Sequence, residues 1–138
     1  MNHLLLVKEL VQAYQAFEMH SGAHIKEMGL TTTQFDIVAT LGNQPPMTCK
    51  ELGEKTLVSK GTMTGVLERL EAKGLIEKFM NADDGRSYKI GLSKSGDRLF
   101  KKVFPEHVAY LGKSIGKLSK KEIEHAVTVL REVKTIFK

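Results

Sequence analysis

Apolar residues near the start of the chain recur at helical steps: Leu4, Val7, Val11 and Tyr14, joined by Leu10 and Phe17, share one stripe of a first helix. Gly29 is placed to end it. Thr31-Thr32-Thr33-Gln34 then reads as a capping box, opening a second helix that carries Phe35, Val38, Ala39 and Leu41 and closes at Gly42 to Pro46. Thr48-Cys49-Lys50-Glu51 is a second capping box, at the head of a short helix containing Leu52 that breaks near Thr56 to Val58. Ser59 is placed to cap the next helix, where Met63, Val66, Leu67 and Leu70 fall at i, i+3, i+4 and i+7. Gly74 supplies the left-handed residue beyond Lys73.

Downstream the period changes. Tyr88, Ile90 and Leu92 alternate with Ser87, Lys89 and Gly91 as in a half-buried strand, and Leu75 to Met80 is its expected partner. The intervening Asn81 to Arg86 is rich in residues that tolerate positive φ, so a two-stranded hairpin with an exposed tip is expected. Ser93 caps a long helix with Leu99, Val103, Val108, Leu111 and Ile115, which Pro105 should kink or divide. Ser119-Lys120-Lys121-Glu122 is a third capping box, opening a helix with Ile123, Val127, Leu130 and Val133 or Phe137 on one face.

The pattern predicts a mainly α fold with a small β-hairpin wing: a single domain over 1–138 with a winged helix-turn-helix over 31–92. Helices over 1–29 and 93–138 flank it and are left for dimerisation. In a helix-turn-helix the second helix enters the major groove with its N-terminal residues toward base edges. Small polar and basic residues must then stand off the apolar stripe, as Ser59, Lys60, Thr62 and Thr64 do. Arg86 on the glycine-containing tip suits a narrow, electronegative minor groove, with Asp84 placed to orient its guanidinium. The full candidate DNA-contacting set is Thr33, Thr48, Lys50, Ser59, Lys60, Thr62, Thr64, Arg69, Lys73, Arg86 and Ser87.

Composition narrows the field without naming a partner. At 138 residues, 41% hydrophobic and 27% charged, the chain is an ordinary globular protein. No apolar run approaches the roughly 18 residues that span a bilayer, and the opening residues lack a signal-peptide layout, so a cytoplasmic location and no membrane contact are expected. The net charge of +5 favours a polyanionic partner. Yet Thr48 to Arg98 carries only +2 of formal charge, whereas Lys101 to Lys138 carries +5, so double-stranded DNA as partner must be argued from position. The lone Cys49 cannot form an intramolecular disulfide and is expected as a small buried hydrophobe.

Catalytic signatures are few. Ser114-Ile115-Gly116-Lys117 matches a serine-x-x-lysine spacing but has no companion motifs, and there is no Walker loop, GxGxxG, HExxH or paired CxxC, so neither an enzyme nor a cofactor is expected. His20 and His24, one helical turn apart, with Glu18 and His107, are weak metal-ligand candidates. A metal-responsive regulator and a winged-helix module that binds another protein are the alternatives to a DNA-binding regulator.

The stretch from Ser59 to Ser93 resembles the multiple antibiotic resistance regulator (MarR) family of bacterial transcription factors. The resemblance is carried by Ser59-Lys60-Gly61-Thr62-Met63-Thr64, Leu67-Glu68-Arg69-Leu70-Glu71, Lys73-Gly74-Leu75-Ile76, Asp84-Gly85-Arg86 and Leu92-Ser93, with Leu30 to Phe35 upstream. It implies a homodimer built from the terminal helices, with recognition helices in successive major grooves of a palindromic operator and wing arginines in the flanking minor grooves. It also implies a repressor that responds to a small-molecule effector held between the dimer and DNA-binding regions. Tyr14, Phe17, His24 and Phe35 are the candidate lining of that site. Two departures are visible: Gly65 stands where many members carry a basic residue, and Ser93 where threonine is commoner.

Overall fold

Helix boundaries in the computed structural model, which describes residues 2–82, 85 and 87–138, fall where short polar side chains stand ready to satisfy the first amides of a turn. Among these residues the elements run α1 (Asn2–Glu27), α2 (Thr32–Leu41), β1 (Met47–Thr48), α3 (Cys49–Lys55), α4 (Lys60–Ala72), β2 (Ile76–Met80), β3 (Tyr88–Leu92), α5 (Lys94–Ile115) and α6 (Lys120–Ile136). At α2, Thr31 Oγ1 accepts from the Gln34 amide and Gln34 Oε1 accepts from the Thr31 amide, each at 3.1 Å. Ser119 and Glu122 form the same reciprocal pair at α6, at 3.1 and 2.9 Å, and the backbone bond to Ser119 holds the Glu122 carboxyl below its ordinary range. Gly29 (φ +83°) and Gly74 (φ +74°) both take the left-handed conformation that ends a helix.

Two caps depart from expectation. Thr48 Oγ1 accepts from the Glu51 amide at 3.1 Å, but the Glu51 carboxylate is engaged by the Thr48 hydroxyl at 3.2 Å and not by the Thr48 amide. Thr48 also closes β1 opposite Lys89, where the strand sets its backbone direction. Ser59 occupies the cap position of α4, yet its hydroxyl donates to Thr62 Oγ1 at 2.8 Å and caps no backbone amide.

The expected hairpin gains a third strand. The antiparallel sheet has the order β1-β3-β2, with Met47 opposite Ile90 on one side of β3 and Ile76 opposite Leu92 and Met80 opposite Tyr88 on the other. A two-residue strand is too short to display alternation, which is why the pattern missed it. The alternation along β3 is also broken. Tyr88 is 56% exposed, while Gly91 is buried because a Cβ there would lie 3.1 Å from the Phe79 ring and 3.2 Å from Pro46.

One core cluster draws on nearly every element up to α5: Ile37, Val38 and Leu41 from α2, Met47 from β1, Leu52 from α3, Met63, Val66, Leu67 and Leu70 from α4, Ile76 and Ile90 from the sheet, and Phe100 from α5. Ile37, fully buried at 0%, is the α2 core residue that the sequence pattern passed over. Phe35 packs instead on a smaller cluster of Ile25, Leu30 and Val103. Cys49 is exposed, contrary to expectation, because the inward position of its short helix belongs to Leu52. Pro105 does not divide α5, which continues through it to Ile115.

The start of α5 is tied to the strand entrance. Ser93 Oγ donates to the Gly74 carbonyl at 2.6 Å and accepts from the Gly96 amide at 3.0 Å. A Cβ at Gly96 would collide with the Leu75 carbonyl oxygen, a backbone atom that cannot swing aside. Gly96→Ala should therefore destabilise the fold by about 1–3 kcal/mol, read as a lower urea midpoint with an unchanged m value.

The chain divides into two compact units, Met1–His107 and Val108–Lys138. In the second, the end of α5 and α6 are joined by a turn in which the Gly116 amide donates to the Gly112 carbonyl at 2.8 Å. No described residue of α6 is buried, and Val127, Leu130, Ile136 and Phe137 are all exposed.

Candidate nucleic-acid interface

The apolar stripe of α4 decides what its other face can do. Met63, Val66, Leu67 and Leu70 are all buried, so Ser59, Lys60, Thr62 and Thr64 are turned outward at the start of the helix and are exposed. The break before α4 is hydrogen-bonded: Thr56 Oγ1 donates to the Leu52 carbonyl at 2.8 Å and accepts from the Val58 amide at 3.4 Å. Asp36, in the middle of α2, accepts from the Leu57 amide at 2.9 Å. This residue was missed by sequence reasoning, since an acid on a helix face carries no local sign that it will fix a turn 21 residues away.

The remaining predicted contacts divide by what already occupies them. Lys50 and Arg69 are exposed. Thr48 is the half-buried cap of α3, and Thr33 is half-buried with its hydroxyl 3.1 Å from that of Thr31. Lys73 Nζ donates to Gln34 Oε1 at 3.4 Å, linking the end of α4 to the cap of α2. Ser87 closes the base of the hairpin, its Oγ accepting from Asn81 Nδ2 at 3.0 Å and its carbonyl from the Asn81 amide at 3.1 Å. Asp84 and Arg86 lie outside the described residues. Lys78, on β2, stands 3.7 Å from Glu71 and 6.0 Å from the centre of the Tyr88 ring, so this part of the surface carries mixed charge.

Tyr14 and Phe17 are exposed on α1, where a hydrogen bond to Glu18 holds the Tyr14 phenol above its ordinary range. His24 and Phe35 come together around His107. His24 Nδ1 is 2.9 Å from His107 Nδ1, and the Phe35 ring meets the His107 ring edge-on at 4.8 Å between centroids. Ser21 Oγ is 2.9 Å from His107 Nε2. His107 is 4% exposed, and burial, then the charges of His24 and His20, push its pKa below the ordinary histidine value. Among the described residues no group of three or more His, Cys, Asp or Glu side chains is arranged to hold a metal ion.

A short helix, a tight break, a second helix with a polar outer face and a small antiparallel sheet directly after it make this a winged helix-turn-helix protein. The model of the MarR family matches residues 30–88, which run from the entrance of α2 into β3. The HTH-type transcriptional regulator MhqR of Bacillus subtilis is 29% identical over 124 residues, spanning 90% of this chain and 86% of that protein. Among solved structures, a MarR-like transcription regulator of Bacillus cereus covers 100% of this chain and 99% of its own, with a TM-score of 0.85 at 20% identity. A complex of Staphylococcus aureus MepR with DNA covers 94% of this chain and 96% of its own, with a TM-score of 0.81, also at 20% identity. The winged helix-turn-helix region, residues 30–88, is thus of the MarR type. No helix among the described residues is long and apolar enough to cross a membrane.

Proposed function

We propose that this protein is a non-catalytic, sequence-specific binder of double-stranded DNA that acts as a homodimer on a palindromic operator and represses transcription until a small-molecule effector binds. The observation that carries the proposal is the division of α4 into a buried stripe and an exposed polar N-terminal face, held at a fixed angle by the Asp36 bond to the turn before it. The DNA complex of MepR, which shares the fold, supports the same use of that helix. The exposed apolar side chains of α1, including Leu4, Val7 and Val11, and those of α6, including Val127 and Leu130, support a dimer that covers them.

The test is titration of a palindromic and a random duplex at several salt concentrations. Binding should weaken linearly in log salt, with a slope set by the number of phosphates neutralised. Arg86→Ala should weaken both duplexes and flatten the slope by about one for each phosphate no longer neutralised, while preserving the order of preferred sequences. The loss should be greatest where the flanks are A·T-rich. Absence of salt-dependent binding to either duplex would leave the protein-binding alternative in its place. Light scattering should give twice the monomer mass of 15.4 kDa at micromolar protein.

A further inference from the structure

The contact between His24 and His107 has room for one proton and none for a second. Two imidazole nitrogens 2.9 Å apart need one N–H and one lone pair between them. When both rings are neutral, either Nδ1 can donate. When the pair holds one extra proton, His24 can donate to the bare Nδ1 of His107 while His107 Nε2–H donates to Ser21 Oγ, 2.9 Å away. The Ser21 hydroxyl serves either tautomer of His107, because it can donate or accept. A second extra proton sets N–H against N–H at the same separation and puts two positive charges on rings whose centroids are 5.2 Å apart. Charges that lower the His107 pKa include those of His24 and His20 of α1, both of the same sign as its own; α2 offers the uncharged Phe35 ring, and Glu106 on its own helix is solvent-exposed.

We propose that His24 and His107 form a proton-operated latch between α1 and α5, whose full protonation opens the contact and, through Phe35 and the adjacent Asp36, loosens the turn that sets the angle of α4. Phe35 lies against the His107 ring, and Asp36, its neighbour in α2, holds the Leu57 amide before α4. Protons would then act as an effector in their own right. The effect on DNA rests on the DNA-binding function proposed above; the latch itself does not.

The sign follows from linkage. His107 binds its proton less readily in the folded chain than in the unfolded one, so as pH falls through the ordinary histidine range, around 6.5, the unfolded or opened state takes up more protons and the closed state loses stability. The loss is absent above that range. It also opposes the general trend for DNA, since added positive charge on a protein tightens binding to phosphate.

The test uses the full chain in chelator, so that no metal bridges the rings. Between about pH 7.5 and about pH 5.5 the unaltered protein should lose several degrees of Tm. His107→Gln and His24→Gln should each lose no more than half as much, the second keeping an amide able to reach His107 without taking a second proton. In the unaltered protein, NMR titration of the histidine rings should place the His107 midpoint below the ordinary value. Parallel loss of Tm in all three proteins, or an ordinary His107 midpoint, overturns the latch. On the duplex, acidification should weaken the unaltered protein several-fold relative to either variant. If the duplex is bound at neutral pH and that difference is missing, the link from latch to α4 is wrong. If it is not bound at any pH, the DNA-binding function fails, while Tm and NMR still decide the latch.

Discussion

Leu70→Ala is expected to lower stability by about 2–5 kcal/mol, because truncating a fully enclosed leucine loses its transfer free energy and leaves a cavity that neighbours only partly fill. Leu70 is 0% exposed and packs in the main cluster near the end of α4. Urea unfolding at fixed protein concentration is the appropriate measurement, since the proposed dimer would couple stability to concentration. Leu57→Ala is the control: its side chain is 84% exposed, so the change should fall within about 0.5 kcal/mol despite removing the same atoms. Equal losses from the two substitutions would mean that α4 is not seated as described.

The second large effect belongs to the outer face of the same helix. Thr62→Ala and Thr64→Ala should each cost roughly 1–3 kcal/mol on the preferred duplex for each base edge no longer touched, and a two-fold symmetric dimer suffers that in both half-sites. Both threonines are exposed, so the folded chain should tolerate the changes. Thr62→Ala also removes the acceptor of the Ser59 hydroxyl, which frees Ser59 to cap α4. Binding to random duplex should barely change. Lys60→Ala should lie between these variants and Arg86→Ala, because a lysine at a helix start can serve a phosphate or a guanine. A uniform loss on specific and random duplex alike would assign these residues to the phosphate backbone.

Much of this was legible in the sequence because it is local. Capping at Thr31 and Ser119, the left-handed glycines 29 and 74, and the apolar spacing of α4 each depend on residues within a turn or two of one another. What escaped depends on distant partners. The β1 strand exists only because Met47 and Thr48 lie beside Ile90 and Lys89. Gly42 reads as a helix stop, but the Phe100 ring of α5 occupies the space its Cβ would need. The bond from Asp36 to the turn has no local signature at all, whereas His24 and His107, 83 positions apart, are grouped in the sequence by residue type alone. Tyr14 and Phe17 are exposed, while His24 and Phe35 meet His107.

Selection of bound duplexes from a fully randomised pool tests the central claim most directly, because it asks for sequence preference and symmetry together. The account predicts enrichment of a two-fold symmetric site whose half-sites are centred about 10 base pairs apart, the spacing of successive major grooves. Selection should lose its preferred sequence when Thr62 and Thr64 are both replaced by alanine. A pool that stays random after repeated rounds at low salt, or one that yields a single unpaired half-site, would contradict it.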